Sequence, residues 1–74
     1  MNNEDFYRAL TEILDVDAVK AEDILRDFSE WDSLTVLSVL AMADSNYGVT
    51  ITPEDIRSVV TAGDLATLVD IRQK

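Results

Sequence analysis

From Leu34 to Tyr47 the chain runs without a glycine or a proline, and the run closes at Gly48. A stretch of this kind, stopped by a residue that takes up left-handed backbone at little cost, specifies a helix with a natural C-terminus. Leu37, Leu40 and Ala43 or Asp44 trace one face, and Val36, Val39, Ala43 and Tyr47 the neighbouring one. So wide an apolar arc predicts a central helix touched on two sides, with Thr35, Ser38, Met42 and Ser45 on the remaining face. The rest of the 74 residues must be arranged around this element.

The flanking segments supply the partners. Asn2 or Asn3 caps a first helix whose opening turn carries Glu4 and Asp5, and Phe6, Leu10, Ile13 and Leu14 form its buried stripe. Residues 16–32 lack that periodicity and read as a long connection, pinned to the core by Val19, Ile24, Leu25, Phe28 and Trp31. After an extended link, Val49-Thr50-Ile51, the run Thr52-Pro53-Glu54-Asp55 begins a short third helix carrying Ile56, Val59 and Val60. Thr61-Ala62-Gly63-Asp64 repeats the cap pattern, a hydroxyl followed three residues later by an acid. It opens a last helix with Leu65, Leu68, Val69 and Ile71 or Arg72. With 47% apolar residues but only two Gly and one Pro, the chain is too hydrophobic for a disordered acidic tail and too poor in breakers for a β barrel. The expectation is one all-α domain over 1–74. It is a small four-helix bundle of three longer helices and a short third, with a long loop between the first two.

Residue types that are missing limit the chemistry. With no Cys there is no disulfide, thiolate nucleophile or sulfur-ligated metal, and with no His the usual proton shuttle near neutral pH is gone. Paired carboxylates need a cleft that so small a domain can hardly shape, so no catalytic residue, no metal site and no enzymatic activity are expected. Fifteen acids against six bases give a net charge of −9, which repels nucleic-acid backbones and anionic lipid surfaces. The first residues lack the zones of a secretory signal and no apolar run reaches the length of a membrane span. A cytoplasmic monomer without membrane insertion is expected.

Asp32-Ser33-Leu34 stands where the long loop enters the central helix. The free N–H groups and dipole of a helix N-terminus favour a negative group on the Ser33 oxygen, so a phosphodiester there would be stabilised. No general base in the chain can make Ser33 a potent nucleophile, so modification must be catalysed by another protein. Taken alone the tripeptide is weak, because Ser and Asp are the commonest helix caps.

Its surroundings carry more. Leu25-Arg26-Asp27-Phe28, Trp31-Asp32-Ser33-Leu34, Tyr47-Gly48-Val49-Thr50-Ile51 and Val60-Thr61-Ala62-Gly63-Asp64-Leu65 follow one another in an order and spacing that resemble the acyl carrier protein family over nearly the whole chain. The resemblance implies that Ser33, flanked by Asp32 and Leu34, accepts phosphopantetheine from coenzyme A through a separate, magnesium-dependent phosphopantetheinyl transferase. It also implies that acyl or related carboxylic acids ride as thioesters on the thiol of that arm, for acyl-loading and acyl-transferring enzymes to use.

The chain departs from the family pattern in one respect. Carriers of fatty acid synthesis usually expose several acids on the second helix; here Thr35 and Ser38 stand two and five positions after Ser33, and Asp44 is the sole acid within the helix. Residues 1–32 carry a net −7 and residues 33–74 a net −2, so the stronger negative field precedes the serine. Because rim charges set partner choice, this argues for a dedicated pathway, with docking through Leu34, Thr35, Ser38, Met42 and Ile51 onto basic or mixed patches of its enzymes. Two alternatives stand beside the carrier. One is a noncovalent helical interaction module, which needs no modified serine. The other is a calcium loop over residues 44–55, which has its glycine one position early and Pro53 near its end.

Overall fold

Phe6, Leu10 and Leu14 recur every four residues, and that spacing becomes one fully buried stripe of α1, Asn3–Leu14. The computed structural model describes residues 3–73, and the expected cap on the Asn2 or Asn3 side chain lies outside what it describes. Asp15 ends α1 in left-handed backbone at φ 55°, a conformation that short polar side chains tolerate better than other non-glycine residues.

The long connection is more ordered than its sequence suggests. Within it lies a single 3₁₀ turn, Leu25–Asp27, whose Leu25 is buried, while Val19 is buried and Phe28 and Trp31 pack partly against the core. Ile24, expected as a core anchor, is instead 43% exposed, and it holds the loop through its backbone, forming an isolated antiparallel bridge with Thr61. Three backbone bonds stitch the loop to the start of the last helix. Leu25 N–H donates to the Val60 carbonyl at 3.0 Å, Ala62 N–H to Asp23 at 2.9 Å and Gly63 N–H to Ala21 at 2.9 Å. A Cβ at position 63 would stand 3.0 Å from the Ala21 carbonyl oxygen, so glycine is what permits this approach.

The central helix, α2, spans Ser33–Tyr47 and ends at Gly48 with φ 65°, whose N–H donates back to the Ala43 and Asp44 carbonyls. Two further helices follow, α3 over Pro53–Ser58 and α4 over Ala62–Arg72. Both start on complete capping boxes: Thr52 with Asp55, and Thr61 with Asp64. The α3 expectation is corrected at its end, since Val59 is the buried C-cap and Val60, outside the helix, is 47% exposed. On α4, Ile71 is likewise exposed and Val69 takes the buried position.

In the resulting four-helix bundle α1 packs on α2 and α4, and α2 also packs on α3. The Phe6 ring lies 6.0 Å from that of Tyr47, joining the start of α1 to the end of α2. Asp55 does double duty at the α3 terminus: it accepts the Thr52 N–H at 3.0 Å and a paired contact from the Arg72 guanidinium, whose Nη2 donates to Oδ1 at 3.0 Å. Among the described residues no helix is long and apolar enough to cross a membrane.

Gly48→Ala must place a Cβ in left-handed backbone although nothing crowds the site, so it is expected to destabilise the fold by about 1 kcal/mol. Thermal unfolding should register a loss of roughly 4–8 °C. The Arg72 guanidinium, followed by the Thr52 N–H, holds the Asp55 carboxyl down from the ordinary 3.8 to about 2. A depressed acid contributes stability that is present above its unfolded pKa and is lost as pH falls through the folded value, here between about 4 and 2. Carboxyl NMR titration should find Asp55 in that low range and Arg72→Gln should return it upward; an Asp55 that titrates normally in the wild type would contradict the clamp.

Candidate functional site

A helix N-terminus leaves N–H groups that some oxygen must accept, and at α2 the oxygen comes from Asp32. Asp32 adopts extended backbone and its carboxylate accepts the Thr35 N–H at 2.9 Å. That bond, the largest cause, holds the Asp32 carboxyl below its ordinary value. Ser33 is therefore relieved of capping and becomes the first helical residue, exposed to solvent.

The three hydroxyls in the opening turns of α2 have different fates. Thr35 is buried and its hydroxyl donates to the Glu30 carbonyl, tying the loop to the helix. Ser38 donates to the Leu34 carbonyl at 3.1 Å, one turn back. Among the described residues nothing engages the Ser33 hydroxyl. The structure thus brings together Asp32, Ser33 and Leu34, the last 74% exposed beside the serine.

Three of the expected docking residues are corrected. Thr35, Met42 and Ile51 are buried, Thr35 through its bond to Glu30 and the other two within the apolar core, so only Leu34 and Ser38 of that set face solvent. Leu37, read from the sequence as a core residue, is 58% exposed. At 100° per residue positions 34, 37, 38 and 41 share one face and 35, 39 and 42 another. That signal was present, but a helix apolar all round does not say which face turns inward. The calcium alternative also fails geometrically. Residues 44–55 are divided among the end of α2, the extended link and the first turn of α3, and Asp55 is committed to Thr52 and Arg72.

Beside Ser33, between α2 and α3, opens a groove of about 340 Å³. Trp31, Val36, Leu37 and Ile56 give it apolar walls, and Arg26 and Arg57 add two cations that sequence reasoning had left unremarked. They lie 31 residues apart and meet only because the 3₁₀ turn reaches α3, where Arg26 Nη2 donates to the Arg57 carbonyl at 3.0 Å.

This geometry agrees with comparison to known proteins. The model of a family described as phosphopantetheine attachment site matches residues 4–69. The chain belongs to that family. An acyl carrier protein of Beutenbergia cavernae is 29% identical over 56 residues, spanning 76% of this chain and 68% of the relative. Among solved structures, the holo acyl carrier protein of Geobacter metallireducens superposes with a TM-score of 0.78 at 22% identity, over 93% of this chain and 82% of the other. A candidate acyl carrier protein from Mycobacterium tuberculosis gives 0.79 at 25% identity, over 92% and 93%. The expected resemblance to acyl carrier proteins and the expected helical bundle therefore hold.

As a member of the phosphopantetheine attachment site family the chain takes phosphopantetheine as its prosthetic group, and it is a carrier and not a catalyst. A phosphopantetheinyl transferase and acyl-handling enzymes are its general classes of partner. The residues present fit the group, since the opening of α2 offers an exposed and uncommitted hydroxyl at the positive end of the helix dipole.

Thr35→Val keeps the volume but removes the bond to Glu30, and is expected to cost about 1 kcal/mol. Denaturant unfolding should show that loss, while limited proteolysis should become faster at the loop before Asp32 and remain unchanged in α4.

Proposed function

We propose that Ser33 is the attachment point of the phosphopantetheine arm and that the chain presents acyl or related carboxylic acid intermediates to the enzymes of a dedicated biosynthetic pathway. The observation that carries the attachment point is the exposed Ser33 hydroxyl, free of hydrogen bonds because Asp32 supplies the cap. In the transfer, Ser33 Oγ loses its proton and bonds to the phosphorus of the pantetheine phosphate, and the adenosine bisphosphate half of coenzyme A departs. The bound arm supplies a thiol that holds cargo as a thioester. On the chain's side, Asp32 fixes the start of the helix, the positive end of the helix dipole would favour the charge of the phosphodiester, and Leu34 would give the partner an apolar contact next to the arm. The need for coenzyme A supports a cytoplasmic carrier.

The dedicated pathway is supported by the surface around the serine. Leu34, Leu37 and Ser38 face solvent, and no acid occurs in α2 before Asp44. Enzymes that recognise a carrier through acids on this helix would find hydroxyl and apolar groups there, so the face suits partners with apolar or mixed patches. A chain of fatty acid synthase enzymes that elongated cargo on this carrier as fast as on its own would overturn this part of the proposal.

Incubation with coenzyme A, magnesium and a promiscuous phosphopantetheinyl transferase should add the mass of one arm to the wild-type protein and none to Ser33→Ala. No gain on the wild type, or an equal gain on the variant, would refute the attachment point.

A further inference from the structure

In a chain with fifteen acids and six bases, a free cation near an unmodified site is unexpected, and two in one groove are more so. Arg72 is clamped on Asp55 and Arg8 faces Asp5 at 3.9 Å. Arg26 and Arg57 meet no carboxylate within ion-pairing distance among the described residues. Arg26 spends its guanidinium instead on the Arg57 backbone carbonyl, an arrangement that gathers the two cations at the same groove. Like charges are normally kept apart or separated by an acid; the acid that lines this groove, Asp32, forms no ion pair with either arginine and accepts the Thr35 N–H instead.

We propose that Arg26 and Arg57 read the cargo: they receive an anionic group at the far end of an acyl chain carried on the Ser33 arm, which selects for acids with a second negative charge. This rests on the carrier function proposed above. The groove is lined by Asp32 and Ser33 together with apolar residues that include Leu37 and Ile56. Its volume of about 340 Å³ lies within the range of small-molecule sites. An acyl thioester with methylenes in the middle and an oxyanion at its end offers the first to the apolar wall and the second to the arginines. The planar fork of arginine suits the two oxygens of a carboxylate. The phosphodiester of the arm has the same oxyanion chemistry, but it would sit at the start of α2, where the helix dipole favours it, whereas the arginines belong to the 3₁₀ turn and α3.

The test loads the full chain enzymatically from succinyl- or butyryl-coenzyme A, which differ in a terminal carboxylate against a methyl group, and from coenzyme A itself. Succinyl loading should shift the side-chain Nε–H signals of Arg26 and Arg57 in a salt-sensitive way, butyryl loading should leave them unmoved, and Arg57→Gln should abolish the shift at Arg26. Far-ultraviolet circular dichroism checks that the exposed-site variant stays folded, and Arg57→Lys should retain only part of the effect. Equal shifts from both cargoes would overturn the proposal. So would full shifts with the bare arm, which would assign the arginines to its phosphate. A protein that loads on Ser33 but shows no arginine response refutes the cargo selection alone, whereas one that never loads refutes the carrier function beneath it.

Discussion

The bond between the Asp32 carboxylate and the Thr35 N–H decides what the front of α2 can be. Only one residue can cap a helix, and a serine in that role would have its oxygen folded against the backbone. With the cap one residue earlier, Ser33 becomes the first helical position and its oxygen points to no partner in the described residues. The same bond holds the Asp32 carboxyl below its ordinary value, so that a single residue sets both the start of the helix and the electrostatics in front of it. Behind it, Thr35 grips the Glu30 carbonyl and Phe28 and Trp31 pack on the core, which fixes the direction from which the chain arrives.

Features governed by neighbours in sequence were legible before any coordinates. The Phe6, Leu10 and Leu14 stripe, the stop at Gly48 and the two Thr-to-Asp capping boxes all depend on contacts within one or two turns, and the residue types alone specify them. The orientation of α2 was not legible in the same way. A helix with Leu34 and Leu37 on one side and Val39 and Met42 on the other carries no amphipathic contrast, and its inward face is chosen by where α1 and α3 lie. Thr35 shows the limit well: a hydroxyl reads as surface, yet here it is buried because a carbonyl of the loop needs a donor.

The loop is illegible for a related reason. Its attachment to α4 runs through backbone groups of Ala21, Asp23 and Leu25, and a peptide N–H or carbonyl looks the same whatever side chain it bears. Gly63 was the one trace left in the sequence, and without the position of Ala21 it could be read only as part of a cap. Of the site, Ser33 and its two neighbours followed from family resemblance and from the physics of helix termini. The groove did not, since Arg26 and Arg57 come from elements that meet only after folding.

The pairing of Arg72 with Asp55 has a consequence for the wall of the groove that α3 supplies. The six residues of α3 are too few to hold themselves in place, and their link to α4 is a partly exposed pair of opposite charges. Dissolved electrolyte weakens such a pair while leaving the packing of α1 untouched. Salt therefore weakens one of the contacts that hold α3, while the buried Ile56 and the packing of α3 on α2 remain.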